Sequence, residues 1–282
     1  MSMRSSHRRK TSRPADGKVR AKKALGQHFL TDLTIAQRIV EALEPGDGGN
    51  VLEVGCGMGV LTQFLLRRND LNLWGVEVDR ESIAYLRSHF PDLAPRLIEG
   101  DFLRMELAAL FPQGVRVIGN FPYNISSQIF FKALENRDLV PEVVGMVQRE
   151  VAVRIAEPPG SRDYGILSVL LQAWYDIEYL FTVHENVFNP PPKVKSAVIR
   201  LRRNGVTQLD CDEKLMVKVV KAAFGQRRKM LRNALKSVFG DFGGAEHPFF
   251  STRAERLGVA DFVELTRWVA EHQENSNPSL NS

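Results

Sequence analysis

From residue 51 to residue 148 the sequence alternates short apolar runs with helix-patterned segments, and this alternation restricts the fold more than any other feature. The runs are VLEVG (51–55), LNLWGVEV (71–78), RLIEG (96–100), VRVIGN (115–120) and VVGMVQ (143–148), with helical spacing over 59–68, 80–89 and 126–136 between them. A parallel pair of strands needs a crossover, and a helical crossover covers a sheet face, so this order predicts a mostly parallel sheet with helices on both sides. A helix over 33–43, stopped by Pro45-Gly46, precedes the first run. After it come a helix at 149–156, the loop EPPGSRDYG and a buried helix in GILSVLLQAWY. YLFTV (179–183) and SAVIRLRR (196–203), joined through the Pro-rich NVFNPPPKV, add an antiparallel pair at one edge and bring the expected count to seven strands.

Beyond Asn204-Gly205 only helical patterns remain, at 212–224, 228–239 and 260–272. The expected organisation is a basic, disordered arm (1–24), an α/β Rossmann-like domain (25–204), a small all-α domain (205–274) and a disordered tail (275–282). The arm holds nine bases and one acid, net +8, so a chain of net +5 carries about −3 elsewhere. A second basic knot, Arg227-Arg228-Lys229 with Arg232, lies in the helical region. Such clusters attract polyanions. No stretch approaches the roughly 18 consecutive apolar residues of a membrane span. Cys56 and Cys211 lack the close partners of a zinc or redox pair, so no metal is expected and a reducing cytoplasm is the simplest compartment.

VLEVGCGMGVLT (51–62) places Gly55, Gly57 and Gly59 between a strand and a helix, where the backbone must turn and approach a ligand without a Cβ in the way. It has no P-loop Lys-Ser/Thr, and Glu53 precedes the glycines, a placement that repels pyrophosphate and tolerates a cation. Glu77 ends the next strand 22 residues after Gly55, near the spacing of about 20 at which an acid grips a ribose diol. Asp101 follows the third strand, placed to accept from an adenine amine. Each acid alone is an ordinary cap or turn residue. Together, at successive strand ends, they indicate an adenosine-bearing ligand without phosphate, which favours S-adenosylmethionine over NAD.

GNFPYN (119–124) ends the fourth strand beside the same crevice. An adenine amine is a poor nucleophile because its lone pair is delocalised into the ring. If the Asn120 side-chain oxygen and the Pro122 carbonyl each accept one N–H, the lone pair is freed towards a methyl sulfonium by positioning and electrostatics alone. Tyr123 offers a face on which the base can stack.

With these segments in view, the chain resembles the ribosomal RNA adenine-N6,N6-dimethyltransferases, in particular the branch acting on the bacterial small subunit. The resemblance runs from KKALGQHFL (22–30) through the glycine loop, GVEVDR, EGD and GNFPYNIS to YGILSVLLQ (164–172), VFNPPPKVKSAVIRL (187–201) and AFGQRRKMLRNAL (223–235). It implies a methyl-donor site lined by His28, Leu30, Gly55, Gly57, Glu77, Asp101 and Asn120, with His28 standing where many members have Asn. It also implies Phe188 as a second aromatic wall for the target base, and RNA contact by Arg227, Arg228, Lys229 and Arg232. The partner so implied is 16S rRNA within a small-subunit assembly intermediate, met by a monomeric enzyme with no membrane attachment. Three rival readings are a 23S rRNA dimethylase, a protein-glutamine methyltransferase and an assembly factor acting mainly by binding.

Overall fold

The computed structural model describes residues 19, 21–22, 25–44, 46 and 48–274, so most of the expected basic arm and the whole expected tail lie outside the described residues. β1 (Phe29–Leu30) leads into α1 (Leu33–Glu41), whose first turn is capped by the Asp32 carboxylate accepting from Thr34 N and Ile35 N at 2.9 and 3.1 Å. β2 (Asn50–Val54), β3 (Asn72–Glu77), β4 (Leu97–Glu99), β5 (Arg116–Asn120) and β6 (Glu142–Gln148) then alternate with α2 (Thr62–Leu65), α3 (Arg80–His89), α4 (Leu107–Leu110) and α5 (Ser126–Glu135). α6 (Arg149–Ala156) and α7 (Ile166–Gln172) precede β7 (Tyr175–Val183), and the two-residue β8 (Phe188–Asn189) precedes β9 (Ser196–Arg203).

The main sheet has seven strands in the order β4-β3-β2-β5-β6-β9-β7. The first five pair in parallel, and β9 runs antiparallel to both β6 and β7. Side chains alternate between two cores, as a period of two demands. Leu52, Val117 and Val143 face the core under α5 and α7, whereas Val51, Ile118 and Val144 face the core under α1 and α3. β7 starts earlier than its apolar run, at Tyr175, because the Tyr175 hydroxyl reaches the buried carbonyls of Ala133 and Val140 and anchors that end. The remaining helices are α8 (Glu213–Gly225), α9 (Leu231–Phe239) and α10 (Val259–Glu274). Their buried Met216, Leu235 and Phe262 continue the first core, so the sheet layer and the helical region share one apolar interior.

The strand order reverses between β2 and β5, which places a crevice at their carboxyl ends. β1 and β8 form a second small antiparallel sheet beside that crevice, with Phe29 opposite Asn189 and Leu30 opposite Phe188. Neither two-residue strand carries a periodic signal, and their pairing is a tertiary event.

Candidate active site

A cavity of about 310 Å3 opens at the crevice. Of the expected donor-site residues, His28, Leu30, Gly55, Gly57, Glu77, Asp101 and Asn120 all line it, as do Pro122 and Tyr123. Its acidic side chains are Glu53, Glu77 and Asp101, and no Lys or Arg is on its wall among the described residues. That donor set fits a ligand with a positive sulfonium and no phosphate.

The glycine loop is shaped by backbone geometry: Gly55, Gly57 and Gly59 all have φ between +54° and +76°, the left-handed region in which a Cβ is disfavoured. The loop is tied to β3 by Glu77. Its Oε2 accepts from Gly57 N at 2.8 Å, and its Oε1 accepts from Val78 N and Asp79 N at 2.8 and 2.9 Å. A carboxylate has about four acceptor sites, so one remains for a ligand hydroxyl. The expectation that Glu77 takes both ribose hydroxyls is narrowed accordingly, because the loop needs the other sites. Asp101 Oδ1 accepts from Leu103 N at 3.0 Å and caps a short turn, while its other oxygen lies 3.7 Å from Arg104 Nε.

Glu53 is almost completely buried and accepts from the Thr62 hydroxyl at 2.5 Å. Burial, reinforced by the nearby Glu77 charge, pushes its carboxyl up from the ordinary 4.5 to about 8. A carboxyl whose folded value is raised binds more protons folded than unfolded between these two pH values. Its contribution to stability therefore declines as pH rises from about 4.5 to about 8 and levels off above. Glu53→Gln, an isostere of the protonated form, is expected to flatten that part of the decline. Thermal melts of the ligand-free protein between pH 5 and 8, as order-of-magnitude bounds of that window, provide the check; parallel curves for the two proteins would contradict it.

Asn120 ends β5, and its Nδ2 donates to the His28 carbonyl at 2.9 Å. This bond fixes the amide, and Oδ1 is the acceptor left available on a residue of the cavity wall. Residues 25–30, which include the one supplying that carbonyl, line the cavity, and Lys22 makes ion pairs with Asp79 and with Glu81. The Pro122 carbonyl, expected as the second acceptor, already has one backbone donor. It accepts from Ile125 N at 3.1 Å and closes the turn into α5. The Phe121 carbonyl has no hydrogen-bond donor among the described residues. Phe121 itself was passed over in the sequence, yet its ring anchors the motif. Gly119 and Gly145 are register partners on β5 and β6, and a Cβ on either would lie 2.8 or 2.5 Å from that ring. Phe130 meets it edge-on at 5.8 Å. The two mid-strand glycines were the available signal, since glycine inside a strand marks close approach.

Phe188, expected by resemblance as a second wall for the target base, sits apart from the other expected residues. It is 4% exposed, packs in the core with Leu30 and does not line the cavity. Pairing of β8 with β1 turns it inward. The ring that faces Tyr123 is His28, stacked at 5.2 Å with planes 29° apart.

The four basic residues divide. Arg227 donates to the Ser161 and Arg162 carbonyls, and Arg232 pairs with Glu246 while lying over the Phe250 ring. Arg228 and Lys229 are exposed, with no side-chain partner among the described residues. A cleft of about 840 Å3 runs between α5, α7 and α8, lined by Phe131, Lys132, Arg154, Lys221, Phe224 and Arg227, and shares Leu103 with the first cavity.

A family model described as ribosomal RNA adenine dimethylase matches residues 18–268. The chain is 58% identical over 253 residues to a ribosomal RNA small subunit methyltransferase A of Porphyromonas gingivalis, covering 88% of this chain and 97% of that one. It is 56% identical over 265 residues to that of Bacteroides thetaiotaomicron, covering 93% and 99%. Among solved structures, a dimethyladenosine transferase from Plasmodium falciparum shares the fold (TM-score 0.72, 24% identity, 87% and 98% covered). So does the 23S rRNA methyltransferase ErmE (TM-score 0.62, 26% identity, 85% and 99% covered).

Proposed function

The chain belongs to the ribosomal RNA adenine dimethylase family, and from that premise we propose that it transfers methyl groups from S-adenosylmethionine to N6 of two adjacent adenines in the 3′-terminal hairpin loop of 16S rRNA, dimethylating each. The observation that carries the reading is the ring of Gly55, Glu77, Asp101 and Asn120 at four neighbouring strand ends around one cavity that holds acids and, among the described residues, no Lys or Arg. The small-subunit reading is favoured over the 23S alternative because the relatives at 56–58% identity are small-subunit enzymes, whereas the 23S enzyme is 26% identical.

When bound, S-adenosylmethionine supplies an electrophilic methyl group. The protein's own residues do the rest. Glu77, with one acceptor site remaining, would hold a ribose hydroxyl, and Asp101 would accept from the adenine amine. Asn120 Oδ1 accepts one N–H of the target amine, and the second acceptor is the uncommitted Phe121 carbonyl rather than that of Pro122. Tyr123 gives the target base a stacking face. The target base must be splayed out of its stack to enter the site. The cations of the cleft between α5 and α8, together with Arg228 and Lys229, hold phosphates of the surrounding strand. A soluble monomer acting in the cytoplasm on an assembling small subunit completes the reading; no helix among the described residues is long and apolar enough to cross a membrane.

The deciding experiment is methyl transfer to isolated 30S and 50S particles from cells lacking the enzyme, with nucleoside mass analysis of the product. Dimethyladenosine in 16S rRNA alone is expected. Product confined to 23S rRNA would move the chain to the other branch.

A further inference from the structure

Ser196 is the first residue of β9, opposite Gln148 on β6 and Val183 on β7, and its side chain is fully buried. A serine at such a position must spend its hydroxyl inside the protein. It does so on Tyr123, with Oγ 2.5 Å from the phenol oxygen. Burial raises the Tyr123 phenol above its ordinary value, and either oxygen of the pair can donate in this bond. The other ring of the stack is pinned from the same stretch of chain. His28 Nδ1 donates to the Pro190 carbonyl at 2.9 Å, and Thr31, close to it, bonds the Val187 carbonyl through both its backbone N–H and its hydroxyl, at 2.8 and 2.9 Å.

We infer that Ser196 is a positioning residue for methyl transfer: by holding the phenol end of Tyr123 it sets the plane on which the target base stacks. The segment from Phe188 to Ser196 thereby acts as one support for two rings, Tyr123 through a side chain and His28 through a backbone carbonyl. A tyrosine free to turn about its own side-chain bonds still offers a stacking face, but its plane is no longer fixed relative to Asn120. Misplacement by about 1 Å costs up to about 10²-fold in rate, so loss of one of two constraints on the ring is expected to cost roughly tenfold. The loss falls on kcat, since contacts spread over the RNA set KM.

This inference rests on the reading of Tyr123 as the face for the target base, and the test separates the two. Ser196→Ala, Tyr123→Phe, the double variant and Tyr123→Ala are compared by kcat and KM on 30S particles. Active sites are counted, and S-adenosylmethionine affinity measured, by calorimetry. Ser196→Ala and Tyr123→Phe break the same bond from opposite ends, so each is expected to lower kcat about tenfold, the double variant no further, with donor affinity unchanged. Additive losses, or wild-type kcat in both single variants while Tyr123→Ala is impaired, would overturn the role of Ser196 and leave the stacking reading intact. Wild-type turnover by Tyr123→Ala would overturn the stacking reading itself.

Discussion

Asn120→Ala is expected to lower methyl transfer to 30S particles by about 10²-fold, the usual cost of removing one preorganised polar group aimed at a reacting centre. Two bonds are at stake. Oδ1 accepts from the target amine, and Nδ2 donates to the His28 carbonyl, which fixes which end of the amide faces the cavity. Asn120→Asp separates them. It keeps an acceptor of the same size but sets a carboxylate oxygen against the His28 carbonyl, and is expected to be impaired although its acceptors are intact. Affinity for the particle, measured by co-sedimentation, should stay within about twofold in both variants, because phosphate contacts elsewhere carry the binding. Turnover near wild type in Asn120→Ala would remove the residue from the mechanism. Loss of particle binding together with activity would favour an assembly factor whose principal task is association.

The second large effect is on the donor site. Glu77→Ala strips the acceptor from three backbone N–H groups, those of Gly57, Val78 and Asp79. An unsatisfied buried donor costs roughly 1–3 kcal/mol, and here the cost is spent within the loop that must hold the ligand. Affinity for S-adenosylmethionine is expected to fall by at least about 10²-fold, a loss of some 2.7 kcal/mol, and the melting temperature to fall with it. Glu77→Gln cannot repair the loop, since its NH2 meets a backbone donor. Calorimetric titration of the donor decides this, and a dissociation constant within a few-fold of wild type would show that the carboxylate is dispensable.

The parallel order of the first five strands was legible because burial on both faces leaves continuous apolar runs, and because glycine loops and acids fall where those runs stop. Gly55, Glu77, Asp101 and Asn120 were expected at one crevice for the same reason, each placed at the end of a strand, and all four line one cavity. Residues whose role depends on a distant partner were not. Phe121 read as an apolar letter in a turn, and only the pairing of Gly119 with Gly145 across β5 and β6 makes a slot for its ring. Phe188 read as a wall by resemblance and lies in the core, because β8 pairs with β1 more than 150 residues away in sequence.

The sequence alone determined the α/β architecture, the adenosine-type crevice and the asparagine beside it, since strand periodicity and turn chemistry are local properties of a chain. The tertiary structure alone decided how acceptors and rings are aimed. The Asn120 amide is set by the His28 carbonyl, the Pro122 carbonyl is committed to its turn while that of Phe121 is uncommitted, and Tyr123 is held by Ser196. Those orientations come from hydrogen bonds between segments that only the folded sheet brings together, and a lone pair has no direction until its partners are in place.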